Sequence, residues 1–168
     1  LPIGEVVLHG MLIGETTNLN GSYSGEVTYG WSGNITPTHL DYGFEPSVRS
    51  YDNITEDLSN ENYLAMLLPT VVTSAVTDIQ DENVKLNGIV NPNGYNTSIN
   101  FEYGVTTSYG FSTEVQEIGE GMVNIPVNAF LTDLDPETEY HYRLVANSIA
   151  GTQFGQDETF ETLLEHFD

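Results

Sequence analysis

The stretch Leu134-Asp135-Pro136-Glu137-Thr138-Glu139-Tyr140 constrains this chain more than any other. Pro136 fixes its own φ, and the acidic neighbours favour a solvated turn. A strand follows at once, Tyr140 to Asn147, with Tyr140, Tyr142, Leu144 and Ala146 on one face and His141, Arg143, Val145 and Asn147 on the other. A tyrosine placed at such a turn can bury its ring and return its hydroxyl to the backbone a few residues upstream, a corner that locks Greek-key sandwiches. Leu134, Pro136 and Tyr140 are therefore read as structural residues.

The rest of the chain agrees with an all-β reading. Gly, Asn and Pro punctuate short alternating runs throughout, and no helical period persists. The run Glu61–Leu68 is too short for a helix and is stopped by Pro69, so it is read as a last strand leading into a linker. A boundary near Leu68-Pro69-Thr70 separates residues 1–68 from 69–162, and residues 163–168 form a tail or the start of a following element.

In the first segment, strands are expected over Glu5–Met11 and Tyr23–Tyr29, with Asn20-Gly21 as a tight turn between them. Gly30-Trp31-Ser32-Gly33 reads as a second turn, Asn34–Pro37 as an extended path, and Asp41–Pro46 as an aromatic-rich turn. Arg49–Thr55 and Asn62–Met66 close the segment. In the second segment seven strands are expected, near Val71–Ile79, Val84–Val90, Thr97–Tyr103, Tyr109–Val115, Met122–Phe130, Glu139–Asn147 and Gln153–Thr162.

Both segments carry motifs. The first contains Thr17-Asn18-Leu19-Asn20-Gly21-Ser22-Tyr23, Val27 to Pro37 with Tyr29-Gly30-Trp31-Ser32-Gly33 inside it, Tyr42-Gly43-Phe44-Glu45-Pro46, Arg49 to Thr55, and Asn62-Tyr63. Over nearly its whole length it resembles the carboxypeptidase-regulatory-like repeat modules of large bacterial secreted and surface proteins, which implies a small prealbumin-like β-sandwich. The resemblance also implies a further strand before Leu1, which the sequence does not contain. The second carries Leu86-Asn87-Gly88-Ile89-Val90-Asn91-Pro92-Asn93-Gly94, Phe101-Glu102-Tyr103-Gly104, Tyr109-Gly110, the corner, and Phe160-Glu161-Thr162. It resembles a bacterial fibronectin type III domain, an immunoglobulin-like sandwich. The fold expected is thus two tandem β-sandwiches.

Charge narrows the partners. Three basic residues, Arg49, Lys85 and Arg143, face 25 acidic ones across 168 residues, for a formal charge of −22. Nucleic acid and anionic membrane surfaces would be repelled. No apolar run approaches the roughly 18 residues of a membrane span. There is no cysteine, hence no disulfide framework and no Cys-based metal site; secretion does not require either.

Chemistry-bearing residues are few. No nucleophile, metalloprotease or phosphate-loop motif is present, and the four histidines, His9, His39, His141 and His166, do not stand at metal-ligand spacing. The densest acidic group is Asp133, Asp135, Glu137 and Glu139. It reads first as a solvated turn, and otherwise as a weak calcium site, the one cofactor the sequence suggests. Trp31, Tyr29 and Tyr42 lie at expected turns. Their plain reading is packing; the sharper one is a platform for sugar faces or a protein partner.

The expectation is a non-catalytic extracellular module of a bacterial surface or secreted protein, serving as spacer, adhesive unit or self-assembling fibre subunit. Its partners would be neighbouring domains or copies of the same chain, through strand donation into the open first sandwich by Leu1–Leu8 or Leu163–Asp168. The alternative is a polysaccharide-binding accessory module of a larger hydrolase.

Overall fold

The computed structural model describes residues 2–11 and 15–164. Leu1 and residues 165–168, which belong to the two expected donor segments, lie outside the described residues, as do 12–14. All regular structure among the described residues is β-strand, and the chain divides into two compact units, Leu1–Leu67 and Leu68–Asp168. The architecture is all-β, with two tandem β-sandwich units.

Among the described residues unit 1 holds six strands. These are β1 (Val7–His9), β2 (Glu15–Thr16), β3 (Trp31–Thr38), β4 (Tyr42–Glu45), β5 (Arg49–Ile54) and β6 (Leu64–Leu67). They form a four-stranded sheet in the order β2-β1-β3-β5 and a two-stranded sheet β4-β6, all antiparallel. Alternation sets the core. Val6 and Leu8 point inward, as do Ile35 and Pro37 of β3, with Leu8 paired directly to Pro37. Phe44 supplies the buried aromatic of the smaller sheet.

Three local expectations fail in unit 1, each for a physical reason. Residues 22–28 are not a strand. Their alternation provides a face, but a strand also needs a ladder partner, and Ser22, Ser24 and Gly25 weaken any claim to one. Trp31 does not sit in a turn. Gly30 takes the positive φ of 78° one residue earlier, and Trp31 N closes that turn on Thr28 O at 2.9 Å before β3 begins. Its ring then lies over Gly33, where a Cβ would collide with the indole. Asp41–Pro46 is likewise not one long turn: Tyr42 to Glu45 pair with Leu67 to Leu64 as β4, because Phe44 finds the core.

Unit 2 contains β7 (Thr70–Thr77), β8 (Val84–Asn91), β9 (Thr97–Gly104), β10 (Phe111–Ser112), β11 (Gln116–Gly119), β12 (Ile125–Leu131), β13 (Glu139–Ser148), β14 (Gly151–Phe154) and β15 (Glu158–Glu161). One sheet is β12-β8-β7. The other is built on the pair β9-β13, with β10 and β11 in succession along β9 and β14 and β15 in succession along β13. The chain passes from the first sheet to the second, returns for β12, and crosses again for β13. That is the Greek-key path of an immunoglobulin-like β-sandwich.

The core lies between these sheets. Val84, Leu86 and Val90 of β8 and Val127 and Leu131 of β12 meet Ile99 and Phe101 of β9, Tyr142 and Leu144 of β13, and Phe160 of β15. Each side chain buried in this way stabilises by about 1.5–3 kcal/mol.

Two strands differ from the expectation. The fourth, expected over Tyr109–Val115, shortens to the two residues of β10, because Thr113 closes on Phe101 through both its N–H and its hydroxyl, and pairing along β9 resumes only at Gln116, in β11, which lies outside the expected strands. The seventh breaks at Gly155. Its N–H donates to Leu144 O at 2.7 Å, while Leu144 N turns away to Thr73 Oγ1 of the opposite sheet at 3.1 Å. A Cβ at 155 would collide with that threonine hydroxyl, so only glycine fits the break.

Candidate functional site

The corner is built as one hydrogen-bonded unit. Tyr140 is buried, its ring stacks on Phe160 at 5.5 Å, and its hydroxyl accepts from Asp135 N at 3.1 Å, five residues upstream. Leu134 is buried beneath the turn and its N–H donates to Glu82 O. Pro136 O accepts the Thr138 hydroxyl at 2.9 Å, and Thr162 Oγ1 donates to Asp135 O at 2.7 Å. The chain stays paired past its last strand, since Leu163 N reaches Gln80 O and Glu137 N reaches Leu163 O. Tyr140→Phe is expected to cost unit 2 about 1 kcal/mol, because Asp135 N loses its acceptor. Urea unfolding followed by circular dichroism checks this. Trp31, the single tryptophan, lies in unit 1, so its fluorescence transition should not move.

The carboxylates of this turn do not gather. Asp133, Asp135, Glu137 and Glu139 are all exposed, and Asp133 Oδ2 accepts from Thr132 beside it. Among the described residues no three His, Asp or Glu side chains are grouped as a metal ion would need.

The three aromatics singled out in unit 1 have separate settings. Tyr29 is 85% exposed. Trp31 is half-buried against Tyr51, centroids 6.1 Å apart. Tyr42 pairs edge-on with His39 at 5.1 Å. Tyr29 and Trp31 both line a cleft of about 1030 Å³ in unit 1, whereas Tyr42 does not.

That cleft contains a network the sequence did not announce. Glu61 Oε2 accepts from Tyr51 Oη at 2.9 Å and from Arg49 Nη1 at 3.2 Å, and Glu61 O accepts from Tyr23 Oη at 2.5 Å. Arg49 Nη2 donates to Asn62 O, and its guanidinium lies over the Tyr63 ring at 5.3 Å. Tyr63 Oη donates to Ile35 O at 3.2 Å. Burial, then the Glu61 bond, pushes the Tyr51 phenol well up, and burial, then Tyr23, holds Tyr63 up at about 12. Tyr23, Arg49, Tyr51 and Tyr63 all belong to the motif quoted above, but nothing in their spacing shows that they converge.

Unit 2 has a comparable network on its six-stranded sheet. Arg143 lies between the Tyr109 and Phe154 rings, at 4.6 and 4.2 Å, and bonds Glu102 Oε2 through Nε and Nη2, each at 2.7 Å. Asp157 joins Tyr109 Oη at 2.9 Å to His141 Nδ1 at 2.8 Å. With Lys85 over Phe130 at 5.3 Å, each of the chain's three cations rests on an aromatic face.

No protein-family model matches the chain, and no curated protein matches it. Among solved structures it is similar to the sensor domain of the anti-sigma factor RsgI4 of Pseudobacteroides cellulosolvens, at 19% identity and a TM-score of 0.47, covering 58% of this chain and 97% of that one. It is also similar to a fibronectin type III domain from human KIAA0970 protein, at 22% identity and a TM-score of 0.37, covering 58% of this chain and 76% of that one. Likeness at this level concerns the fold and says nothing of ligand or activity.

Proposed function

We propose that the chain is a non-catalytic structural module of a bacterial extracellular or surface protein, its first unit a prealbumin-like module of the carboxypeptidase-regulatory-like kind and its second a fibronectin type III domain. One observation carries this reading. Six of the ten tyrosine hydroxyls, those of Tyr23, Tyr51, Tyr63, Tyr109, Tyr140 and Tyr142, are bonded inside their own unit, and all three cations are held there too. The groups most apt for chemistry are spent on holding turns and sheets together.

Unit 1 carries the interaction. Among the described residues its smaller sheet has two strands, and an added strand would extend the sheet and cover the cleft beside it. Glu26, Glu56 and Asp57 line the cleft with no cation paired to them among the described residues, while Glu61 is neutralised by Arg49, so a neutral or cationic strand fits better than an acidic one. Exposed Tyr29 beside Trp31 favours a second reading, a neutral polysaccharide in the same cleft. One titration separates the two. Trp31 fluorescence is followed while a neutral peptide of alternating valine and threonine, or a neutral oligosaccharide, is added. Strand addition predicts a saturating change with the peptide and slowed amide exchange in β6. Glycan binding predicts the change with the sugar only, abolished in ligand retention by Trp31→Ala. Silence with both ligands would overturn the assignment of this cleft.

A further inference from the structure

Acidic residues are unevenly distributed over unit 2. The strands β7, β8 and β12 contain no Asp or Glu, in a chain that carries 25. Their outward face is instead apolar and amide-rich. The register places Val72 beside Ile89 and Ile89 beside Pro126, one continuous row across the sheet. Val72 is 54% and Ile89 37% exposed. Two rows along, Lys85 is paired with Phe130, which is 68% exposed. Hydroxyl and amide side chains fill the row between.

We propose that this face packs against the same face of a second copy of the chain. A pleated face with an aliphatic row is what stacks on another sheet at about 10 Å in a sandwich. Charge selects the partner surface. Two copies each carry −22, and the six-stranded sheet of unit 2 displays Glu102, Glu117, Glu139, Glu158 and Glu161. The β12-β8-β7 face lets two copies meet with no carboxylate of either sheet opposed. Three strands of some eight residues cover roughly 350 Å² per partner by strand spacing and rise. The contact is therefore smaller than the roughly 800 Å² per partner of a stable complex, and the dimer is weak and concentration-dependent. Long-range repulsion between the acidic copies opposes it, so added salt strengthens association rather than weakening it. This rests on reading the chain as an assembly module, but it concerns a different unit from the cleft, and either can fail alone.

Sedimentation equilibrium on the whole chain tests it, at protein concentrations up to about 1 mM, a range that suits a small interface. NaCl is raised from about 0.01 to about 1 M, which shortens the screening length from about 30 to about 3 Å. The expected result is a monomer–dimer equilibrium that tightens with salt. Ile89→Glu should weaken it at least about tenfold by opposing like charges across the axis. Val72→Glu on the edge strand should do the same and serves as the second variant, each checked for fold by circular dichroism. Ile149→Glu, at a turn position 77% exposed, makes the same chemical change elsewhere and should leave dimerisation unaltered. A chain that stays monomeric at the highest salt and concentration, or an Ile149→Glu variant that weakens dimerisation as much as Ile89→Glu, overturns the proposal.

Discussion

Leu144→Ala is expected to destabilise unit 2 by about 2–5 kcal/mol, a large share of what a domain of this size possesses. Leu144 is fully buried at the centre of β13, and its Cδ2 lies 2.6 Å from where a Cβ on Gly88 would stand. The two sheets meet there with no spare volume, and their ladders resist collapse into a void. Gly88→Ala alone should cost about 1–3 kcal/mol, because the new methyl meets both Leu144 and Val72 O, the latter at 3.0 Å. In the double variant the methyl added at position 88 takes up part of the space that Leu144 vacates. The cost should then fall below the sum of the two singles, although the backbone oxygen of Val72 keeps the rescue incomplete. Urea unfolding with unchanged slope measures all three. Additivity within about 0.5 kcal/mol would show that the contact across the sheets is not felt.

The same residues show how much the sequence discloses. Tyr140, Tyr142, Leu144 and Ala146 alternate without interruption and are all buried, because β13 is central and strongly two-sided. A central strand has only one register that buries its apolar set, so pattern and structure agree. Edge strands follow other rules. The strand expected over Gln153–Thr162 breaks at Gly155, and what breaks it is Thr73, far earlier in the chain, completing a hydrogen bond across the core. Alternation within a segment carries no trace of such a partner. The same holds for Glu61. A lone carboxylate in an acidic chain gave no sign that Tyr51, Arg49 and Tyr23 close on it, because that convergence is made by the path of the backbone. Composition misled in a different way. The acidic residues look scattered along the sequence, yet pairing gathers three acid-free strands into one sheet.

Raising the pH should loosen unit 2 through Tyr142. Its ring is 1% exposed and packs edge-on to Phe160 at 5.7 Å, and its hydroxyl donates to Ser74 O at 2.9 Å, linking the two sheets. Burial first, and the Glu158 carboxylate second, push the phenol up to about 12 from an ordinary value near 10. Between those values the unfolded chain has released a proton that the folded chain still holds. Stability is therefore intact below about pH 10 and falls as pH rises toward about 12, by about 1.4 kcal/mol per unit and on the order of 3 kcal/mol across the window. Tyr103 and Tyr109 are displaced in the same direction and add to the slope. Tyr142→Phe separates the contribution of this one hydroxyl. At about pH 8 the variant should be less stable by about 1 kcal/mol, since Ser74 O loses its donor. Above about pH 10 it has no phenol at this position to ionise, so its stability should decline less steeply and the two curves should converge and then cross before about pH 12. Chemical unfolding by circular dichroism at each pH gives both curves, while Trp31 fluorescence reports unit 1 separately, where Tyr63 is also held up at about 12. Parallel curves across the whole alkaline range would mean that Tyr142 keeps its proton in both states or loses it without penalty, and the bond between the sheets would not be what fails in alkali.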